Sequence, residues 1–285
     1  MSQAAQRIDA HHHLWNYTRQ EYGWISEGML PLRRDFSPAD LRHEMAAAKV
    51  DGAITVQARQ TLEETRWLLK LAAENPFLRG VVGWAPLASA DFSKYLEEFD
   101  GNPKLKGLRH VIQDEPQDDF ILREDFNRGI ATLAGAGLVY DILIYEKHLP
   151  FAAEFVDRHP NQVFVLDHLG KPPIREGRIS SWRERLKNLA ARPHVYCKLS
   201  GLTTEADWSH WTVDDLRPYF ETALECFGPS RLLAGSDWPV CLLATSYHRW
   251  WQTLEELTLS LSPSEQNAVL GENAMTVYLL REQST

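Results

Sequence analysis

Val163-Phe-Val-Leu-Asp-His168-Leu-Gly-Lys-Pro172 is an apolar run that stops abruptly at two ionisable side chains, followed by glycine and proline. A strand of a parallel sheet is covered on both faces and reads as continuous apolar residues. The polar C-terminal end of such a strand is where an α/β barrel carries its working groups. Arg231-Leu-Leu-Ala-Gly-Ser-Asp237-Trp-Pro239 repeats the pattern, and Arg7-Ile-Asp-Ala-His11-His-His13 opens the chain with a third instance. Further β-like runs at 53–58, 80–87, 105–113, 138–145 and 195–200 alternate with helix-like stretches. Ser37-Pro38 marks a helix start, Asn75-Pro76 and Gly228-Pro229 mark stops, and Ser262-Pro-Ser-Glu265 is a capping box. Eight strand–helix units with short connections predict an α/β fold, a single (β/α)8 TIM barrel over residues 1–285 with an extra C-terminal helix. An open doubly wound sheet is the competing arrangement. Leu14–Phe36 is the longest irregular stretch. It follows the first strand, so in a barrel it covers the active face, and its Trp15, Tyr17, Tyr22 and Trp24 suit a lid.

Composition narrows the function. The 285 residues carry a net charge of −9, with 44% hydrophobic and 24% charged residues, as in a soluble enzyme and unlike a nucleic-acid binder. The three cysteines are odd in number and show no CxxC spacing, so neither a disulfide framework nor a thiolate zinc site is expected. A reducing, cytoplasmic setting follows. The opening MSQAAQRIDAHHH lacks an apolar signal core, and no run of about 18 apolar residues suggests a membrane span. Ten tryptophans offer flat faces for a sugar ring. Oligomeric state is not written in these features.

Side chains alternate along a strand, so His11 and His13 share a face with Asp9 below them while His12 points away. His168 and Asp237 end their strands. Taken singly, the histidine run reads also as a polar strand end, His168 as a loop cap and Asp237 as a helix cap. Together they occupy the C-terminal ends of strands one, six and eight on one barrel face. Three imidazoles and a carboxylate suit zinc, manganese or a similar divalent ion.

The segments Asp9–Trp15, Asp167–Pro172 and Gly235–Pro239 resemble the amidohydrolase superfamily. With Gly107-Leu-Arg-His110 and Lys198-Leu-Ser-Gly201 they are similar to its sugar-lactone hydrolase branch, the fuconolactonases and rhamnonolactonases, over about residues 7 to 280. The two spaced histidines alone indicate only the superfamily. The resemblance implies hydrolysis of a small aldonolactone to the sugar acid. It places His11, His13, His168 and Asp237 at the positions of a mononuclear metal site holding zinc or manganese, with metal-free operation as the alternative. Strand five carries no histidine, so a binuclear centre is not expected. In the expected reaction the histidine cluster, with or without an ion, polarises the carbonyl and Asp237 activates water.

Substrate-binding candidates come from other strand ends. Gln57 reads as a donor to a sugar hydroxyl or as a plain surface glutamine. Arg109 and His110 alternate, so only one points strictly inward. Arg109 reads as a holder of a lactone oxygen or product carboxylate, or as half of an Arg–Asp pair inside the barrel. Asp141 and Tyr145 share a face that brings the Tyr145 hydroxyl to the rim. Lys198 and Ser200 share a face opposite Cys197, which reads as a packing thiol; a lysine in an apolar strand is costly unless paired, which favours a site role. Trp24 and Trp238 are candidates to cover the sugar. The rival activity is that of a metal-dependent decarboxylase of the same superfamily acting on an aromatic acid, and the non-enzymatic rival is a sugar-binding barrel.

Overall fold

The computed structural model describes residues 5–280; the expected domain limits, 1–285, extend beyond them. Strands β1 (Ile8–His12), β2 (Gly52–Val56), β3 (Leu78–Gly83), β4 (Leu105–Val111), β5 (Val139–Leu143), β6 (Phe164–Leu166), β7 (Val195–Leu199) and β8 (Leu232–Ala234) pair in parallel in chain order. A parallel His12–Trp238 bridge, with the His13 N–H donating to the Trp238 carbonyl at 2.7 Å, returns β8 to β1. A doubly wound sheet reverses its strand order partway; this one does not, so it is a barrel.

The helices are α1 (Pro38–Ala48), α2 (Leu62–Glu74), α3 (Phe92–Glu97), α4 (Glu124–Gly135), α5 (Leu149–Asp157), α6 (Ser180–Ala190), α7 (Leu202–Glu205), α8 (Val213–Phe227), α9 (Tyr247–Thr258), α10 (Pro263–Asn267) and α11 (Asn273–Val277). Reciprocal capping boxes start three of them: Ser37 with Asp40, Thr212 with Asp215, and Ser262 with Glu265.

Two buried layers follow the period-2 alternation. The larger lies between strands and helices and takes Ala53, Val81, Leu108, Tyr140, Phe164, Cys197 and Leu232. The smaller fills the barrel floor with Ile8, Ala10, Ile54, Val56, Val82, Val165 and Leu233. The end of α11 closes that floor: Val277 and Tyr278 pack into the smaller layer, and the Tyr278 hydroxyl donates to Asp141 at 2.8 Å.

The expected face of β1 is corrected. Asp9 pairs with Ala53 but His12 with Thr55, so β1 takes three steps against two on β2. This bulge turns both Ala10 and His11 inward. Asp9 therefore faces the helix layer beside Tyr247 instead of sitting beneath the histidines. There it accepts from the Ser236 N–H at 2.8 Å and the Ser236 hydroxyl at 2.6 Å. Leu14–Phe36 is also more ordered than its sequence suggests. It holds a 3₁₀ helix at Glu27–Leu32, and Trp15 and Tyr22 are buried beneath it.

Candidate active site

β1, β6 and β8 deliver His11, His13, His168 and Asp237 to one point. Asp237 Oδ1 lies 3.8 Å from His11 Nε2, 3.4 Å from His13 Nε2 and 3.9 Å from His168 Nε2. The two histidines of β1 face each other, Nε2 to Nε2, at 3.2 Å. His13 Nδ1 donates to the Val56 carbonyl at 2.8 Å, which leaves its Nε2 lone pair aimed at the centre. His168 Nδ1 is held by the Ser200 hydroxyl at 2.8 Å. His168 and Asp237 both adopt left-handed backbone, φ 52° and 56°, rare for side-chain-bearing residues and common where a site is built under strain.

Burial sets the protonation states. It pushes His168 down to about 4 and His11 well below the ordinary histidine value. Burial alone would raise the Asp237 carboxyl, but His168 and His13 beside it hold it below the usual carboxylate range. His11 and His168 are thereby neutral and the Asp237 carboxylate ionised.

A buried charge network supports this centre from below. Burial opposes ionisation of Asp167, yet Lys198, His11 and Arg109 hold its carboxyl well below the ordinary range. Arg109 Nη1 donates to Asp167 Oδ2 at 2.9 Å and lies 3.3 Å from His11 Nε2. Lys198 Nζ is 2.5 Å from Asp141, 3.0 Å from Asp167 and 3.1 Å from His11 Nδ1.

Above it lies a cleft of about 390 Å³ lined by Trp24, Met29, Leu143, Tyr145, Trp208 and Leu243, with Arg109, Lys171, Glu205 and the His–Asp centre. Arg109, Trp24 and Tyr145 thus reach the cleft, and the Arg–Asp pair weighed for Arg109 exists as well. Four expected contacts do not form. His110 points outward, stacked on Phe120 with centroids 5.1 Å apart and bonded to Glu115 at 2.6 Å, because β4 alternation turns Arg109 inward. Lys198 is fully buried beneath the site, its charge consumed by two aspartates. Gln57 is buried, its amide reaching the Arg109 carbonyl at 3.5 Å. Trp238 packs edge-on against Phe36, with centroids 5.1 Å apart. Cys197 is a buried packing thiol. Sequence reasoning overlooked Lys171, in a loop, and Glu205, at the end of the four-residue α7, segments too short to show a periodicity. It also gave no role to Asp167, although its place two residues after inward Val165 puts it on the inner face.

The donor set fits a divalent ion. Nε2 of His13 lies 3.2 Å from His11 Nε2 and 3.4 Å from Asp237 Oδ1, close to the edges of about 3.3–3.4 Å of a tetrahedron with bonds of about 2.0–2.1 Å, while the His11–Asp237 edge is longer at 3.8 Å. Two facing imidazole nitrogens beside a carboxylate also call for a cation or a shared proton between them.

A closed parallel barrel with this cluster at its C-terminal mouth defines a class of barrel hydrolases. The amidohydrolase family model matches residues 8–280, and the chain belongs to that family. It is 43% identical to an L-fucono-1,5-lactonase of Burkholderia multivorans over 98% of this chain and 97% of that one. It is 36% identical to an L-fucono-1,5-lactonase of Burkholderia ambifaria, again over 98% and 97%. A crystal structure of a Burkholderia multivorans amidohydrolase with bound zinc superposes with a TM-score of 0.94 at 42% identity, covering 97% of this chain and all of that one.

Proposed function

We propose that this enzyme opens a small sugar lactone to its aldonic acid, in line with the relatives' activity. The carrying observation is the convergence of Asp237 Oδ1 on three imidazole nitrogens within 3.9 Å, at the floor of a cleft with aromatic walls. The aromatic walls cover the sugar ring, and its carbonyl meets the floor. Asp237, ionised, accepts a proton from the attacking water. Arg109, on the cleft wall beside His11, supplies fixed positive charge toward the developing oxyanion. His168, neutral and oriented by Ser200, directs Nε2 at the reacting carbonyl. Asp237 then returns its proton to the ring oxygen as the tetrahedral intermediate collapses. A zinc or manganese ion held by His11, His13 and Asp237, with His168 alongside, supplies Lewis-acid polarisation when bound. The three cysteines, all free thiols, suit a reducing cytoplasm.

A pH-stat survey of aldono-1,5- and 1,4-lactones, on protein of measured metal content before and after chelation, tests the reading. Asp237→Asn should lower kcat about 10²- to 10⁴-fold with an unchanged unfolding midpoint. Near-normal turnover by that variant would remove Asp237 from the chemistry. Carbon dioxide release from aromatic acids without lactone opening would replace the reaction altogether.

A further inference from the structure

Lys171 and Glu205 stand on the cleft wall, and the chemistry above uses neither. Lys171 leaves the β6 loop with left-handed backbone, φ 52°. Its ammonium lies 5.1 Å from the Tyr145 ring centroid. Glu205 ends α7 in the neighbouring β7 loop. The Arg175 N–H donates to the Glu205 carbonyl at 3.0 Å, and its guanidinium donates to the Ala206 carbonyl at 3.1 Å, pinning the two loops together. The charged heads face each other at 3.9 Å, beyond hydrogen-bond length, with side chains only 18% and 24% exposed. Neither head makes a hydrogen bond among the described residues. A strong donor and a strong acceptor, partly shielded, thus stand side by side on the cleft wall without being spent on each other. One ligand atom able both to accept and to donate can bridge them.

We propose that Lys171 and Glu205 form a hydroxyl clamp that selects polyhydroxylated lactones over plain ones, a reading that rests on the lactonase assignment. An alcohol both accepts and donates, so one ring hydroxyl accepts from the ammonium and donates to the carboxylate. An oxygen about 2.8 Å from each head sits comfortably over a 3.9 Å base. The aromatic neighbours Tyr145 and Trp208 give the C–H faces of the same ring a flat surface. A site built to bond a hydroxyl discriminates strongly against a ring lacking it, because its polar groups are then stranded.

The test compares L-fucono-1,5-lactone with δ-valerolactone, which has the same ring and no hydroxyls. The ratio of their kcat/KM values should fall at least tenfold in Lys171→Met and in Glu205→Gln, mainly through KM for the sugar lactone. Both substrates losing rate in parallel, or neither losing any, overturns the clamp. So does a Lys171→Met effect confined to inhibition by the aldonate product, which would make Lys171 a carboxylate site. Calorimetric binding of a sugar 1,5-lactam against δ-valerolactam separates the clamp from catalysis. Preference for the hydroxylated lactam that both variants abolish sustains the clamp even if no lactone is turned over, whereas equal or absent binding of the two lactams by the unaltered enzyme refutes it.

Discussion

His168 and Asp237 carry opposite electrostatic instructions into the same small space. The imidazole is driven neutral down to about pH 4 and the carboxylate is held ionised. A group whose folded pKa is depressed keeps its working form as pH falls until that lower value is reached. The kcat/KM profile for lactone opening should therefore stay flat from pH 8 to about 5 and fall only at or below about pH 4. An acid limb near 6.5 would mean that a solvent-like histidine is the base instead. Orientation matters as much as charge. Ser200 is the hydroxyl that holds His168 Nδ1, at 2.8 Å. Ser200→Ala leaves the cleft's shape intact and should cost about 10- to 100-fold in kcat with little change in KM, measured on the best lactone. An unaltered kcat would show that backbone geometry alone fixes the ring.

Strand endings were legible in the sequence because a buried parallel strand is apolar until its last residue, and ionisable groups there stand out. Alternation then assigned Cys197 outward and Ser200 inward correctly, since β7 is regular. It failed for Asp9, where the β1 bulge breaks the two-residue period, and nothing in Ile-Asp-Ala-His announces a bulge. It left Arg109 and His110 undecided, because both residues are ionisable and only the register of β4 separates them. Lys198 was flagged by its cost in an apolar strand, but the partners that meet that cost, Asp141 and Asp167, come from β5 and the end of β6. The floor was less visible still. Between α10 and α11 the chain forms a π-helical segment, Ala268–Glu272, laid against the approach to β1. A Cβ on Gly271 would stand 1.9 Å from the Gln6 carbonyl oxygen. Gly271→Ala must push that segment off the barrel and should cost about 3 kcal/mol or more in urea unfolding. An unchanged midpoint would show the floor to be a loose cover.

At the scale of the whole molecule, the Leu14–Phe36 segment is tied to the barrel through a buried carboxyl behind the cleft wall. Glu64, at the start of α2, accepts from the Ala58 and Arg59 N–H groups at 2.9 and 2.7 Å. Tyr22 of the Leu14–Phe36 segment donates to the same carboxylate at 3.4 Å, and Arg59 reaches it at 3.7 Å while lying over the Tyr22 ring. Burial pushes Glu64 up to about 7 from its ordinary 4.5, against the lowering effect of those N–H groups and Arg59. An acid with a raised folded pKa binds its proton more tightly when folded. Its contribution to stability is complete below the unfolded value and disappears as pH climbs through the folded one. Between pH 4.5 and 8 this single group should therefore withdraw about 3 kcal/mol. Other buried groups titrate in the same window, Asp9 downward with rising pH and His168 in the opposite sense, so the raw profile mixes them. Glu64→Gln isolates the effect, because glutamine keeps the shape and an acceptor oxygen but has no proton to lose. The unfolding free energy of the unaltered protein minus that of the variant should drop by about 3 kcal/mol from pH 4.5 to pH 8. A difference that does not move with pH would mean that Glu64 titrates as a surface carboxylate and that the Leu14–Phe36 segment is not anchored through it.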